Sequence, residues 1–113
     1  MATSGLLQVN VKEARLTRDT EMFGKMDPYV RVTNRMQVVC TSVQKSAGKD
    51  PQWHETLDLD VKYIGDDLLF EVIDKEMVND DMIGSASIKI SSLCANGGID
   101  EWWTIMFKGK SAG

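Results

Sequence analysis

The sequence is poor in the residues that build several common kinds of site. Its 113 residues include one histidine, two cysteines and two prolines. Zinc sites need clustered His and Cys ligands, and Cys40 and Cys94 belong to no metal-spaced cluster or C-x-x-C pair. The sequence therefore predicts two free thiols and a reducing, cytoplasmic setting.

Long apolar runs and an N-terminal targeting pattern are also missing. No apolar run approaches the about 18 residues that a membrane-spanning helix needs. The opening Met-Ala-Thr-Ser-Gly has no basic segment followed by an apolar one, and Ala2 replaces the glycine that myristoylation requires. Any membrane contact is therefore expected to be peripheral.

Positive charge is the scarcer sign, with 13 Lys and Arg against 17 Asp and Glu and a net charge of −4. Nucleic-acid binding needs a basic surface, so no nucleic-acid partner is expected. The apolar fraction of 42% and the charged fraction of 27% are those of an ordinary globular protein. The length predicts one domain over residues 1–113.

Apolar and polar residues alternate along much of the chain, most clearly over 7–11 and 57–61. Because successive side chains of a strand point to opposite faces, this pattern predicts strands with one buried face. Five further strand candidates are separated by turn residues: 29–33, 37–43, 68–73, 83–90 and 102–107. Helical periodicity is weak, with one short turn at 91–93. Seven such strands predict an all-β antiparallel sandwich.

Carboxylates concentrate in two connecting segments. They are Asp19, Glu21 and Asp27 in the first, and Asp74, Glu76, Asp80 and Asp81 in the second. If both segments lie at one end of the sandwich, their charges must be protonated, moved apart or neutralised by a cation. Calcium suits such loops because it takes six to eight oxygen ligands in tolerant geometry. The alternative is that these acids are ordinary solvated loop residues.

Other metal sites fit less well. His54 lies far from the acidic segments in sequence, and no twelve-residue loop has the glycine and glutamate places of an EF-hand.

Large apolar residues accompany the acids: Met22 and Phe23 in the first segment, Met77 and Val78 in the second. Turn tips usually carry Gly, Asn or Ser, so apolar groups flanked by charge predict a surface that enters a bilayer. The alternative is that these side chains fold back onto the core.

Four strings in this order resemble a C2 domain: GKMDPYV at 24–30, PQWHET at 51–56, LLFEVID at 68–74 and DDMIG at 80–84. The resemblance implies an eight-stranded antiparallel Greek-key sandwich whose loops at one end hold two or three calcium ions. It further implies that anionic phospholipid binds through those ions.

The resemblance also assigns roles to residues. Asp27 and Asp74 take the places of bridging ligands, and Glu21, Glu76 and Asp81 those of the remaining ligands. Met22 and Val78 take the tip places that enter lipid in lipid-binding members.

The sequence departs from the family pattern at several points. Glu21 and Glu76 stand where aspartate is usual, and the second acidic segment is one residue short, so the site is expected to hold fewer ions or to hold them weakly. Asp80 and Asn79 are peripheral ligand candidates. Asp19 is a substitute ligand whose spacing does not match the family.

The order of strands resembles the circularly permuted form of the family, because the strand at 6–12 leads directly into the first acidic segment. The remaining strand would then begin near residue 110, and it is expected to be missing or supplied by a partner. Such an unpaired edge also predicts association of two copies.

The sequence thus predicts a calcium-dependent phospholipid-binding module, peripheral to membranes and open to a protein partner. The alternative is a calcium-independent protein- or lipid-interaction module of the same fold. Catalysis is not expected, since His54 and a buried Cys40 lack the base or acid that a nucleophile needs. Arg31, Arg35, Lys45 and Lys49 are expected to be ordinary solvated charges.

Overall fold

Two antiparallel sheets make up the fold. The computed structural model describes residues 5–35, 37–94 and 100–113. Its elements are β1 (Gly5–Glu13), β2 (Pro28–Thr33), β3 (Val38–Cys40), β4 (Gln52–Val61), β5 (Asp67–Asp74), β6 (Asp81–Lys89), α1 (Ile90–Leu93), β7 (Met106–Phe107) and β8 (Lys110–Ser111). The smaller sheet has the order β1-β4, and the larger has the order β3-β2-β5-β6-β7-β8. The prediction of an all-β antiparallel fold is confirmed, as is the single helical turn.

The core lies between the two sheets and follows from the alternation of the sequence. In β2, Pro28, Val30 and Val32 are buried while the residues between them are partly exposed. Leu59 of β4 is fully buried, and it lies opposite Leu7 of β1 in the antiparallel register. Burying side chains of this kind contributes about 1.5–3 kcal/mol each, so the period-two pattern fixes which face of each strand points inward.

Three connections meet at one end of the sandwich. We name them loop 1 (residues 14–27), loop 2 (41–51) and loop 3 (75–80). The strand register places Pro28, Asp74 and Asp81 side by side across β2, β5 and β6, so loops 1 and 3 leave the sheet at the same level. Loop 2 joins them because the backbone N–H of Ser46 donates to Asp27 Oδ1 at 2.7 Å. This end is called the loop end below.

Two predicted strands are longer than those the structure contains. The segment 37–43 forms a strand only over Val38–Cys40, because Thr41 ends the ladder. Its hydroxyl accepts the N–H of Val30 at 2.9 Å, and its own N–H donates to Val30 O. The prediction of a buried Cys40 is also wrong, since its side chain is exposed; both cysteines are free thiols.

The segment 102–107 is a strand only at Met106–Phe107, and Trp102 and Trp103 are exposed. An eighth strand does exist, but β8 has two residues and pairs with β7. Within the described residues, the second edge of β1 has no neighbouring strand. No described helix is long and apolar enough to cross a membrane.

Candidate functional site at the loop end

Loop 1 is held by one buried side chain. Met26 is fully buried, and its sulfur lies 3.5 Å from the backbone N–H of Thr20 across the loop. Between these two residues the chain reverses at Gly24, whose φ of +79° is a left-handed conformation that glycine adopts without strain. The loop therefore has a fixed base and exposes Met22 and Phe23 to solvent, while Glu21 is half-buried.

Asp74 is the buried carboxylate of the loop end, with no exposed surface. Its Oδ1 accepts the backbone N–H of Asp27 at 2.8 Å, and its Oδ2 accepts the hydroxyl of Thr20 at 2.7 Å. A buried carboxylate needs such donors because losing its hydration is costly. Asp74 thus ties the end of β5 to both halves of loop 1.

Glu21, Asp74 and Glu76 form a cluster that we call the acidic trio. Each contributes one carboxylate oxygen, and these oxygens all lie within 4.8 Å of one another. Hydrogen bonds to Glu21 and to Asp74, followed by desolvation and charge repulsion, raise the pKa of Glu76 from 4.5 to about 8. In the metal-free protein, a proton on Glu76 therefore relieves the repulsion between the three acids.

The trio fits a calcium ion. Calcium–oxygen distances of about 2.3–2.6 Å allow two ligand oxygens on one ion to be as much as about 5 Å apart. All three donors are hard carboxylate oxygens, from loop 1, the end of β5 and loop 3, and among the described residues no His or Cys joins the group. Glu21, Asp74 and Glu76 are thus the residues that would hold the ion, which would replace the proton on Glu76.

The other predicted ligands lie nearby in different arrangements. Asp81 lines the same shallow depression as Glu21 and Glu76. Asp27 is adjacent to Asp74 through its backbone, while its Oδ1 accepts the N–H of Ser46. Asp19 is exposed, and its Oδ1 accepts the N–H of Glu21 at 3.0 Å. None of Asp19, Asp27, Asp80 and Asp81 belongs to the described trio.

Asp80 organises loop 3. Its Oδ1 accepts the N–H of Glu76 at 3.0 Å, and its Oδ2 accepts the phenol of Tyr29 at 2.7 Å. These donors lower the pKa of Asp80, with help from the ammonium of Lys75 at 3.7 Å. Burial and the hydrogen bond to Asp80 raise the pKa of Tyr29 to about 12. Both oxygens of Asp80 therefore hold the loop that carries Glu76.

The predicted insertion residues stand in solvent on both sides of the trio. Met22 is 91% exposed, Phe23 87%, Met77 102% and Val78 88%, so these side chains do not fold back onto the core. Met77 and Val78 also line the depression beside Glu21 and Glu76, together with Asn79. Apolar groups on two adjacent tips beside a carboxylate cluster form a surface suited to a partner that is apolar and charged.

The basic residues separate into two kinds. Arg31 donates two hydrogen bonds to Glu71, at 2.9 and 3.1 Å, and Arg35 donates one to Asp66 at 2.7 Å. Lys45 and Lys49 are exposed on loop 2 at the loop end, where the carbonyl of Lys49 accepts the N–H of Leu16. Of the four residues expected to be ordinary solvated charges, Arg31 is half-buried beside Glu71, whereas Arg35, Lys45 and Lys49 are exposed.

Sequence reasoning missed Thr20, Tyr29 and Ser46, which position the acids. Each is an ordinary loop or strand residue, and Thr20 and Tyr29 contact carboxylates 54 and 51 residues away. No local pattern carries such a signal. The period-two alternation of β2, which turns Tyr29 away from the buried Pro28 and Val30, is the only hint that its hydroxyl is available.

The model of the C2 domain family matches residues 5–105. The chain belongs to the C2 domain family. Elicitor-responsive protein 3 of Oryza sativa subsp. japonica is 30% identical over 96 residues, which cover 84% of this chain and 67% of that protein. Extended synaptotagmin-1 of Mus musculus is 30% identical over 110 residues, covering 91% of this chain and 10% of that protein.

A solved structure of the C2A- and C2B-domains of Extended-Synaptotagmin 2, described as calcium bound, is similar with a TM-score of 0.80 and 27% identity. The match covers 89% of this chain and 40% of that one. Membership of the C2 family supports a membrane- or lipid-binding module, and the fold is that of a C2 β-sandwich.

Proposed function

We propose that this C2 domain is a calcium-dependent phospholipid-binding module without catalytic activity, attached peripherally to membranes from the cytoplasm. The acidic trio carries the proposal. Three carboxylate oxygens from loop 1, the end of β5 and loop 3 converge within 4.8 Å, and exposed apolar residues follow Glu21 and Glu76 directly in the chain. The calcium-bound structure of the similar Extended-Synaptotagmin 2 domains adds support.

Charge would control the first step of membrane attachment. Without a cation, the acidic trio keeps a net negative charge even with a proton on Glu76, so the approach of an anionic bilayer is disfavoured. Glu21, Asp74 and Glu76 would hold a calcium ion, which would neutralise their charge and attract lipid phosphate oxygens. The full set of ligands proposed for this module is Asp19, Glu21, Asp27, Asp74, Glu76, Asp80 and Asp81.

The second step is apolar insertion by Met22, Phe23, Met77 and Val78. Four half-inserted side chains would contribute on the order of 4 kcal/mol, which alone is weak binding. Exposed lysines of loop 2, Lys45 and Lys49, lie at the same end, and each lysine near an anionic surface adds about 1 kcal/mol. Insertion and charge are therefore both required for firm attachment.

The test is co-sedimentation with vesicles of phosphatidylserine and phosphatidylcholine, with calcium and with a chelator. The parent chain should pellet in calcium and stay in solution in chelator. Glu21→Gln with Glu76→Gln should lose the calcium-dependent fraction, because both side chains keep their size and lose their charge. Asp58→Asn, an exposed acid of β4, is the matched control and should behave as the parent. Equal pelleting of the parent in chelator would contradict the calcium switch.

The second candidate is a calcium-independent interaction module, which binds a protein or a membrane through the same fold. One observation favours it: a proton on Glu76, whose pKa is raised to about 8, already stabilises the trio without a metal. Calorimetric titration separates the two candidates, because a cation that binds only the folded chain must also raise its melting temperature. No heat and an unchanged melting temperature at millimolar calcium would favour the second candidate.

A further inference from the structure

Positive charge surrounds one aromatic ring beside loop 1. The guanidinium carbon of Arg18 lies 3.7 Å from the centre of the Phe107 ring, and the ammonium nitrogen of Lys108 lies 5.3 Å from it. Lys110 pairs with Phe107 across the β7–β8 hairpin, and residues paired in this way extend their side chains to the same face. We call these four residues the Phe107 cluster.

The Phe107 cluster lies at the loop end. Because β7 runs antiparallel to β6, which begins at the loop end, β7 finishes there and the turn at Lys108 and Gly109 lies beside loop 1. Both turn residues have a positive φ, +49° and +80°, as in the two-residue turns that match the twist of their strands. In the larger sheet, this hairpin and β2 lie on opposite sides of β5 and β6. The lysines of loop 2 and the Phe107 cluster therefore flank the acidic trio from two sides.

The cations of the Phe107 cluster lack acidic partners. Within the described part of the chain, no carboxylate makes an ion pair with Arg18, Lys108 or Lys110. Arg18 is half-buried, its Nη2 donates a long hydrogen bond of 3.4 Å to the carbonyl of Met82, and its buried Nε has no partner among the described residues. An aromatic face attracts a cation but does not cancel its charge, so an anion is the missing partner.

From this arrangement we propose that the Phe107 cluster binds the phosphate group of an anionic lipid headgroup directly, with no calcium ion between them. Lys108 and Lys110 are exposed and supply the ammonium groups that contact the phosphate. Arg18 is fixed on the Phe107 ring and adds positive charge at the same place. The proposal rests on the membrane attachment proposed above, and it adds a second contact at one side of the loop end.

A lipid surface suits the Phe107 cluster better than an acidic protein segment does. Arg18 belongs to loop 1, whose tip carries the exposed Met22 and Phe23. When this tip enters the acyl layer, the hairpin turn beside it comes to the level of the headgroups, where anionic lipid attracts basic side chains. An acidic protein segment would pair with the cations but would leave the apolar tip in water. Contacts on both flanks of the trio would also fix the orientation of the sandwich on the membrane.

The test is co-sedimentation in calcium with vesicles of phosphatidylserine and phosphatidylcholine. The turn variant, Lys108→Asn with Lys110→Gln, removes both ammonium groups, and asparagine is favourable at a turn position of positive φ. It should keep the melting temperature and the calcium affinity of the parent and bind vesicles about thirtyfold more weakly, because two basic contacts are lost. The control is Lys62→Gln with Lys89→Gln, which changes the net charge equally at the far ends of β4 and β6 and should bind as the parent does.

A second measurement needs no membrane and no calcium. In chelator, millimolar inorganic phosphate should shift the nuclear magnetic resonance signals of the Arg18 Nε–H and of the backbone amides of residues 107–110. The turn variant should show no such shifts.

Two outcomes with vesicles would overturn the proposal. One is equal vesicle binding by the turn variant and its control. The other is binding of polyglutamate by the parent that the turn variant loses while its vesicle binding is unchanged, because the occupant would then be an acidic protein segment. A parent that stays in solution even in calcium would contradict the proposed function, and the phosphate shifts then decide this proposal alone. Their absence would overturn it.

Discussion

The two ends of the sandwich treat their carboxylates differently. Away from the loop end, Asp66 pairs with Arg35 at 2.7 Å and Asp67 with Lys89 at 3.3 Å, so the chain neutralises its own acids. At the loop end, Glu21, Asp74 and Glu76 lie together, and the neighbouring acids raise the pKa of Glu76 to about 8. Carboxylates thus form internal ion pairs at one end of the sandwich and an acidic cluster at the other. Only the cluster leaves negative charge that a cation from solution could neutralise.

The largest expected effect is a loss of stability when the buried acid of the loop end, Asp74, is replaced. Asp74→Ala should lower the free energy of unfolding by about 3 kcal/mol, because the Thr20 hydroxyl and the Asp27 N–H lose their acceptor. Urea denaturation in chelator measures this. Asp74→Asn keeps an acceptor oxygen and relieves repulsion within the trio, so its loss should be much smaller. Equal losses in both variants would show that the charge, and not the hydrogen bonds, supports the fold.

The next effect concerns the exposed tips. Phe23→Ser with Val78→Ser should weaken calcium-dependent vesicle binding by about 2 kcal/mol, roughly thirtyfold, because two apolar side chains no longer enter the bilayer. The free energy of unfolding should not change, since both residues are almost wholly exposed. Val38→Ser, an exposed apolar residue of β3, is the control. If it weakens vesicle binding as much, the tips are not the insertion surface.

Because Glu76 can hold a proton, the stability and the calcium affinity of the loop end should both depend on pH. The pKa of Glu76 is about 8 in the folded protein and 4.5 ordinarily, so the contribution of Glu76 to the stability of the metal-free chain should be full below about pH 4.5 and be lost as pH rises through 8. Calcium affinity should change in the opposite direction, rising by up to about tenfold per pH unit until pH 8, because the ion displaces the proton.

Calorimetry in two buffers of different ionisation enthalpy measures the released proton at pH 7. Glu76→Gln should release none. If the parent chain also releases no proton when it binds calcium, Glu76 is not protonated in the metal-free protein.

The smallest effect is expected at the other end. Arg35→Ala removes an exposed partner of Asp66 and should lower the free energy of unfolding by less than about 1 kcal/mol. Calcium affinity should be unchanged, which calorimetric titration can check. A loss as large as that of Asp74→Ala would mean that the two ends do not differ in the way described.

The sequence predicts the strands well where one face of the strand is buried. It predicts them less well where a side chain takes the place of a backbone group in the hydrogen-bond ladder. Alternation located β1 and the second half of β4, but β4 begins at Gln52, before the alternating segment. His54 there has a φ of +50°, a local irregularity that interrupts the period. The hydroxyl of Thr41 that shortens β3 could not be anticipated, because threonine is also a favourable strand residue.

The residues of the candidate site could be predicted from the sequence, but their separate roles could not. The composition of two segments identifies the acids and the apolar tips, but it does not distinguish Asp80, which holds loop 3 through Tyr29, from the members of the trio. That distinction depends on contacts between distant parts of the chain. The calcium role of all seven acids stays a prediction, as does the single domain over 1–113.

The loop end contains three methionines that occupy two different environments. Met26 is fully buried at the base of loop 1, whereas Met22 and Met77 are exposed to solvent. An unbranched, polarisable thioether adapts its shape to irregular surroundings. The loop end therefore combines a buried methionine at its base with two exposed methionines at its tips, and these unbranched side chains would adapt to acyl chains of varying packing.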